Sequence, residues 1–325
     1  MTEQEQTPTY NYVVSDIDFI AEHFPKYEIV RLLDEGAIGA SYKTIQSRIE
    51  RKACLKVIAR RLGRNAQFEE MFTEHAKVTA RLNHPNLVQL YDFGYVEEIC
   101  YMVSEYVSGD TLEAAANDQP VLPSQVLSIM SGIGEGMSHA HKHGIIHGDL
   151  KPTSIMINVD IQPKISDFTL AMSLRMRGNA DYAPCDPNFT APEVIANETY
   201  GDVLTDIYSM GAIMYYLLTS IPYEEDYPLA SELSTCDKRY DAVIAKAMNV
   251  DRERRYQTME ELLLALDVLG EEEPNERMPA AAAYVASVRS TQTVRSVKRR
   301  PLADSARIDE RGDIIIGTGP QTTRL

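Results

Sequence analysis

Two glycines and a lysine in the first part of the chain could together bind phosphate. The segment "LLDEGAIGASYKT" places Gly36 and Gly39 in a predicted tight turn between two strands, where backbone N–H groups can approach phosphate oxygens closely. The next predicted strand, "ACLK", carries Lys56, whose ammonium can reach phosphates held by that turn. An ordinary hairpin turn and a solvated strand lysine would give the same pattern, so these residues alone leave phosphate binding open.

A second group of reactive side chains lies in "HGIIHGDLKPTSIMI", residues 143 to 157. Asp149 follows a pair of isoleucines, Lys151 stands two residues beyond it, and the apolar run after them predicts a strand. A carboxylate and an ammonium are therefore expected in one loop, directly before a strand. What they would act on depends on the rest of the chain.

The chain continues with an ordered series of short motifs. They are "HGDLKPTSIMI", "ISDFTLA", "APEV", "DIYSMG" and "DRERRYQT". Each string is modest evidence, but the order and spacing are highly specific. From residue 27 to about 269 the sequence resembles the bacterial, Hanks-type Ser/Thr protein kinase family.

This resemblance implies a catalytic site that uses ATP and Mg²⁺ or Mn²⁺. Lys56 matches the strand lysine that pairs with the α- and β-phosphates, and Asp149 matches the aspartate that accepts the proton of the substrate hydroxyl. Lys151 matches the lysine that neutralises the γ-phosphate. Asp167, which opens "DFT", matches the aspartate that holds the cation, since hard cations prefer carboxylate oxygens.

The resemblance also places the adenine and the protein substrate. Ser104 falls at the gatekeeper position, and the Glu105 carbonyl and the Val107 N–H are implied to face the adenine edge. Three further matches support the loop and the peptide platform, which small-molecule phosphotransferases of related fold lack. These are Glu193 paired with Arg255, and Asp206 on a buried helix.

Several positions depart from the family pattern. All of them belong to the implied nucleotide site or to the segments beside the implied catalytic residues. They are Asp34 for the first glycine, Ser41 for the valine over adenine, His75 for the helix glutamate, Gly148 for the arginine before the catalytic aspartate, Ser154 for the second metal ligand and Thr169 for the glycine of D-F-G. Ser154 would be a weaker metal ligand than asparagine. Without the arginine, activity should not depend on a phosphorylated activation segment.

His75 is the most serious departure, because Lys56 loses its usual carboxylate partner. A neutral histidine gives at best a hydrogen bond and a protonated one repels the ammonium. Glu74 lies about 100° round the helix, so only a rotated helix would let it substitute. Loss of one such stabiliser typically costs a factor of roughly 10² to 10³ in rate.

Four histidines in "HAHKHGIIH" offer a competing metal hypothesis. His139 and His143 are spaced i, i+4 on a predicted helix and could share a metal ion. The alternative is that His139 and His143 are exposed helix-end residues, while His141 and His147 occupy ordinary positions of the kinase family. We favour this second interpretation.

Composition excludes other classes of function. The formal net charge of −16 disfavours nucleic acid and anionic membrane surfaces, which require basic footprints. Four scattered cysteines without a C-x-x-C pair indicate reduced thiols in a cytoplasm. The start "MTEQEQTPTY" lacks the features of a signal peptide, and "YSMGAIMYYLLTSIPY" predicts a buried helix. Oligomeric state is left open.

The predicted fold class is α+β, with a bilobal, protein-kinase-like arrangement. Helical and strand-like spacing predicts a small β-rich lobe with one main helix and a larger, mostly helical lobe. The expected segments are 1–26, a polar leader with a short amphipathic helix; 27–103, the N-lobe; 104–270, the C-lobe; and 271–325, a disordered basic tail rich in Ser, Thr and Arg.

The sequence therefore predicts a signalling kinase that transfers the γ-phosphoryl group of ATP to Ser or Thr hydroxyls of proteins, with reduced activity. The alternative is a pseudokinase, a nucleotide-responsive scaffold or binding module. A carboxylate of Glu74 or Glu70 within hydrogen-bond reach of Lys56 would favour the enzyme. The basic tail between Ser287 and Ser296 is interpreted first as a solvated linker. The alternative hypothesis is that an active kinase phosphorylates its own hydroxyls there.

Overall fold

The structure is a computed structural model of the chain. The described residues are 17–36, 39–58, 66–96, 99–168, 185–224, 228–271, 306–308 and 314–316. Two compact units are found, Met1–Ala281 and Ala282–Leu325. Within the second, strands β9 (Ala306–Ile308) and β10 (Ile314–Ile316) pair antiparallel. The rest of the tail lies outside the described residues.

The first lobe is built on an antiparallel sheet whose strand order is β1-β2-β3-β5-β4. Its strands are β1 (Tyr27–Gly36), β2 (Gly39–Gln46), β3 (Arg51–Ile58), β4 (Leu90–Val96) and β5 (Ile99–Glu105). Along β3 the side chains of Ala53, Leu55 and Val57 are buried on one face. Because successive side chains alternate, Lys56 lies on the other face.

Among the described residues of this lobe, two helices accompany the sheet. Helix α1 (Ile17–His23) falls where the sequence predicts an amphipathic helix, and its Ile20 is fully buried against the sheet with Phe24. Helix α2 (Ala66–Thr79) packs on β4, where Phe72 meets the rings of Phe93 and Tyr95 edge-on at 6.3 and 6.1 Å. Apolar contacts therefore hold both helices.

The second lobe is mainly helical, with a small three-stranded sheet at its edge. The elements are β6 (Gly109–Thr111), α3 (Leu112–Ala116), α4 (Pro123–Lys142), a 3-10 turn (Pro152–Ser154), β7 (Ile155–Asn158), β8 (Pro163–Ile165), α5 (Pro192–Ile195), α6 (Val203–Thr219), α7 (Ala230–Leu233), α8 (Lys238–Ala247), a second 3-10 turn (Arg252–Arg254) and α9 (Met259–Glu271). These elements confirm the predicted α+β class.

Helix α6 forms the centre of this lobe and explains the most apolar stretch of the sequence. Asp202 caps it by accepting the backbone N–H groups of Leu204 and Thr205 at 2.9 and 3.1 Å, while Thr205 Oγ accepts the Asp202 N–H at 2.9 Å. Such reciprocal capping fixes where a helix begins. Nearly every later residue of α6 is buried. No helix of the described residues is long and apolar enough to span a membrane.

Candidate active site

A buried carboxylate at the start of α6 anchors the loop that carries Asp149. Asp206 is 1% exposed and accepts the backbone N–H groups of His147 at 3.0 Å and Gly148 at 2.8 Å. Its Oδ2 also lies 2.8 Å from His141 Nε2. Hydrogen bonds to a carboxylate are among the stronger ones in proteins, so α6 positions the loop firmly.

Gly148 adopts a backbone conformation that side chains disfavour. Its φ is +73°, a left-handed value that glycine reaches at no steric cost. Glycine at position 148 therefore suits the conformation in which Asp206 holds this backbone. The guanidinium that would clamp a phosphorylated segment is absent from this position.

His147 links the loop to the strand that leads to Asp167. Its Nδ1 accepts the backbone N–H of Asp149 at 3.2 Å, and its Nε2 lies 2.9 Å from the carbonyl of Ser166. Since a carbonyl only accepts, Nε2 carries the proton and Nδ1 does not. The ring also contacts Phe168, with centroids 4.8 Å apart. The position of Asp149 is thereby coupled to that of Asp167.

Asp149 and Lys151, predicted from one loop, meet in the structure. Lys151 Nζ donates to Asp149 Oδ2 at 2.7 Å, and the two side chains are 25% and 16% exposed. A partly shielded carboxylate beside an ammonium can accept a proton while the neighbouring positive charge stabilises a developing negative one.

Lys56 forms its ion pair with Asp167, which comes from the other lobe. The Nζ to Oδ1 distance is 2.5 Å. Burial disfavours both charges, but the pairing outweighs it, so the pKa of Asp167 is lowered and that of Lys56 is raised. Asp34 adds to the raised pKa of Lys56 through its negative charge. Both groups are charged at neutral pH.

Helix α2 supplies no close carboxylate to Lys56 among the described residues. Glu74 instead accepts a hydrogen bond from Lys77 at 2.7 Å on the exposed helix surface. Glu70 is exposed as well. The His75 side chain lies outside the described residues. The rotated helix that would bring Glu74 to Lys56 is therefore not the arrangement in this structure, so this distance does not favour the enzyme over the pseudokinase.

The strand ends on either side of the β1–β2 turn carry Gly36, Gly39 and two of the departures from the family pattern. A Cβ at Gly39 would stand 2.0 Å from the carbonyl oxygen of Val57, so close approach of β2 to β3 requires glycine there. Gly36 and Gly39 are paired across the strands. Asp34 faces Ser41, which in turn faces Lys56. The two polar departures therefore line up beside Lys56.

The segment joining the lobes is held by Glu105. Its carboxylate pairs with Lys164 of β8 at 3.0 Å, and its backbone N–H donates to the Gln89 carbonyl at 2.8 Å. Val107 is buried, at 7% exposure. Behind this segment Ser104 lies opposite Cys54. Burial is the main cause that raises the pKa of Cys54 to about 11, and the charge of Lys56 and the hydrogen bond with Ser104 partly oppose it. This thiol is therefore neutral.

Ser154 is hydrogen-bonded to its own loop. Its hydroxyl accepts the Lys151 N–H at 3.1 Å and donates to the Lys151 carbonyl at 2.8 Å. Its carbonyl accepts the Ser166 N–H at 2.8 Å and the Ser166 hydroxyl at 3.0 Å. Ser154 is thus placed between Lys151 and the residue that precedes Asp167.

Glu193 and Arg255 form a buried, two-pronged ion pair. The Arg255 Nη atoms donate to the two Glu193 oxygens at 2.7 and 2.9 Å. Arg255 also donates to the carbonyls of Asn249 at 2.7 Å and Leu204 at 3.0 Å. Burial alone would raise the pKa of Glu193, but the Arg255 hydrogen bond and charge outweigh it and the pKa is lowered. The pair ties α5 to the second 3-10 turn.

Of the two histidines in the metal hypothesis, His143 is exposed as expected, whereas His139 is half-buried rather than exposed. His139 stacks between His84 and His143, with ring centroids 5.2 and 4.5 Å away, and His143 Nδ1 lies 2.8 Å from the His139 carbonyl. Burial, followed by the charges of His143, His84 and Lys142, lowers the pKa of His139. Within the described segments, no group of three or more His, Cys, Asp and Glu is arranged to hold a metal.

Sequence reasoning missed three contributors to the site. His147 had been assigned no function, although it stands two residues before Asp149. Lys164 and Ser166 carry no motif of their own, and only the fold brings them to Glu105 and Ser154. Thr169 lies outside the described residues, so its effect on the segment after Asp167 stays a prediction.

Comparison with known proteins identifies relatives of this arrangement. The protein kinase domain family matches residues 27–287. Serine/threonine-protein kinase PknB of Mycolicibacterium smegmatis is 30% identical over 261 residues, which are 73% of this chain and 42% of that protein. A probable serine/threonine-protein kinase of Clostridium perfringens is 29% identical and matches 77% of this chain and 39% of its own length. The chain thus spans about two fifths of these relatives.

Solved structures show the same fold. The kinase domain of Mycobacterium tuberculosis PknI superposes with a TM-score of 0.63 at 21% identity, covering 76% of this chain and 96% of that domain. A C20A_R136N double mutant of this domain gives 0.63 at 24% identity. The bilobal, protein-kinase-like fold expected from the sequence is thereby confirmed.

Proposed function

Because this chain belongs to the bacterial Ser/Thr protein kinase family, we propose that it transfers the γ-phosphoryl group of ATP to serine or threonine hydroxyls of proteins. The observation that carries the proposal is that the four residues matching the family's catalytic and nucleotide positions form two ion pairs, one within the loop and one between the lobes. Lys151 contacts Asp149 at 2.7 Å, and Lys56 contacts Asp167 at 2.5 Å.

The donor set fits a nucleotide bound with a divalent cation. Asp167 is an ionised carboxylate, the ligand that Mg²⁺ and Mn²⁺ prefer. Lys56 is a charged ammonium beside it, suited to phosphate oxygens. When bound, the cation neutralises charge on the phosphates. Gly36, Gly39, Glu105 and Val107 complete the proposed nucleotide site through their backbone groups.

The residues of the chain act mainly by positioning and by charge. Asp149 accepts the proton of the acceptor hydroxyl as the new O–P bond forms and the bond to the leaving ADP breaks. Lys151 stabilises the charge on the transferred group. Lys56 orients the phosphates. Asp206 and His147 fix the loop, so little reorganisation is needed when the reactants align.

A protein substrate is favoured by the intact brace between Glu193 and Arg255. The family uses such a pair to support a peptide-binding platform, and here it is fully formed and buried. A cytoplasmic site of action is proposed from the four free thiols.

Nucleotide binding gives the first test. ATP or ADP with Mg²⁺ or Mn²⁺ at millimolar levels is expected to raise the melting temperature, because a ligand selective for the native state stabilises it. Asp167→Asn should lose the dependence of this shift on the cation. No shift with either nucleotide and either cation would remove the proposed nucleotide site.

The acceptor class is tested by mapping phosphate. After incubation with ATP and Mg²⁺, phosphate is expected on Ser and Thr of the tail between Ser287 and Ser296, and none in Asp149→Asn. Phosphate confined to the folded body would contradict the tail prediction. Nucleotide binding without any phosphate in the wild type would instead favour the pseudokinase alternative.

Control by phosphorylation offers a further check on Gly148. With no guanidinium at this position, phosphatase treatment is expected to leave the initial rate unchanged. A phosphatase-treated enzyme that loses its activity would show that another residue clamps the activation segment.

A further inference from the structure

The Ser154 hydroxyl is committed to the backbone of the catalytic loop. It has one hydrogen to donate, and that hydrogen goes to the Lys151 carbonyl at 2.8 Å. The same oxygen accepts the Lys151 N–H at 3.1 Å. Ser154 is 3% exposed, whereas Lys151, its partner in both bonds, is partly exposed. Turning the hydroxyl toward a cation would take its acceptor from the Lys151 N–H, which is unfavourable, while the Lys151 carbonyl would keep the bond from the Ser154 N–H at 2.9 Å.

The backbone of Ser154 extends this connection to Asp167. Its carbonyl accepts both the N–H and the hydroxyl of Ser166. Asp167 itself has a φ of +61°, in the left-handed region that aspartate adopts more readily than most side chains. Ser154 therefore lies at the junction of the two segments that carry the charged pairs.

We propose that Ser154 is a positioning residue that fixes Lys151 and Asp167 relative to each other, and that Asp167 is the protein carboxylate for a single cation bound with the nucleotide. The proposal deepens the proposed function and rests on it. It replaces the sequence-based expectation that Ser154 weakly ligates a second cation. Asparagine, with a longer side chain and an amide oxygen, would restore a second ligand.

The number of cations bound is the direct test. Bound Mn²⁺ is counted by electron paramagnetic resonance at saturating non-hydrolysable adenylyl imidodiphosphate, per molecule of bound nucleotide. The wild type and Ser154→Ala are each expected to bind one, and Ser154→Asn two. Two Mn²⁺ ions in the wild type that fall to one in Ser154→Ala would overturn the single-cation assignment.

The positioning role is tested without nucleotide or metal. In Ser154→Ala the Lys151 amide is expected to exchange with solvent at least about tenfold faster, because its buried acceptor is gone. Ser154→Thr keeps a hydroxyl and should restore slow exchange. Thr153→Ala changes the exposed neighbour in the same 3-10 turn and serves as the control. Unchanged exchange in Ser154→Ala would overturn the positioning role.

The two tests separate this inference from the function it rests on. If no variant binds the nucleotide analogue, the proposed function fails while the exchange measurement still decides the role of Ser154. If the analogue binds with two Mn²⁺ in the wild type, the single-cation proposal fails and the proposed function stands.

Discussion

The brace between Glu193 and Arg255 and the pair between Lys56 and Asp167 differ in their access to water. In the brace the two side chains are 5% and 0% exposed, whereas in the cleft Lys56 and Asp167 are 22% and 43% exposed. A buried charge that loses its partner is strongly destabilising, and a solvated one is much less so. The brace matches its family pattern, while the departures gather around the cleft. Burial accounts for this difference, because replacing a charged partner in the partly exposed cleft costs little free energy of unfolding.

Breaking the brace should have the largest effect on stability. Arg255→Leu removes both hydrogen bonds that Arg255 donates to the buried Glu193 carboxylate and leaves that carboxylate only the longer contact with Arg252, whose Nε lies 3.7 Å from Glu193 Oε1. We expect a loss of roughly 3–5 kcal/mol in the free energy of unfolding. Urea denaturation measures it. Arg254→Ala is the matched control, because Arg254 is 76% exposed, and surface changes stay within about 0.5 kcal/mol. A loss below about 1 kcal/mol in Arg255→Leu would contradict the assigned role.

The same brace predicts a pH dependence. The pKa of Glu193 is lowered in the folded state, so its contribution is fully present above the unfolded value of about 4.3 and is lost as the pH falls through the folded value. The stability difference between wild type and Glu193→Gln should therefore shrink in acid. Urea titrations at neutral pH and below pH 4 test this. A difference that grows on acidification would contradict the sign.

In the cleft the expected effect is on the reaction rather than on folding. Lys56→Met removes one electrostatic stabiliser, and we expect the rate of phosphoryl transfer to fall by a factor of roughly 10² to 10³. Because the pair is partly solvated, the free energy of unfolding should change by less than about 1 kcal/mol. Lys52→Met, an exposed position on the same strand and face, is the control. A variant with full activity would remove Lys56 from the site.

The sequence predicted the parts of the molecule that local pattern determines. Alternating burial on β3 placed Lys56 on the face away from the apolar core, and the motif order placed Asp149, Lys151 and Asp167 in one site. The partner of Lys56 was less predictable, because its pair with Asp167 joins residues far apart in the chain. The spacing of residues along helix α2 points only to carboxylates of that helix and could not indicate Asp167 as the partner of Lys56.

For Ser154 and His147 as well, the residue type and its position in a motif did not indicate which hydrogen bonds the side chain makes. The residue type at 154 suggested a weak metal ligand, whereas its hydrogen bonds depend on how the 3-10 turn closes and on where Ser166 arrives. His147 connects Asp149 to Ser166 only once the two segments are side by side. Such roles follow from the tertiary arrangement, which short sequence patterns do not encode.

A moderate effect is expected at Gly148, where the loop that carries Asp149 is hydrogen-bonded to α6. Gly148→Ala imposes a side chain at a φ of +73°, which should cost about 1 kcal/mol of stability. Gly144→Ala is a close control, because Gly144 has a φ of +74° with open space around it. Thermal unfolding should show similar losses. Only Gly148→Ala should slow transfer, since its N–H binds Asp206. Equal rates in both variants would argue against that anchoring.

The smallest effect is expected on helix α2. Glu74 pairs with Lys77 on the surface, so Glu74→Gln should change stability by no more than about 0.5 kcal/mol and leave the transfer rate within about twofold of wild type, in the absence of any new contact. Thermal unfolding and initial rates measure the two quantities. A rate loss as large as that of Lys56→Met would mean that the helix rotates during the reaction and brings Glu74 to Lys56.

The proposed function requires that this cleft, with its changed partners, still transfers phosphoryl groups. The most direct measurement is single-turnover transfer from radiolabelled ATP with Mg²⁺, with the protein in excess, comparing the wild type with Asp149→Asn. We predict label on Ser or Thr in the wild type and a rate lower by at least about 10² in the variant. Equal label in both proteins, or none in a wild type shown to bind the nucleotide, would contradict the claim.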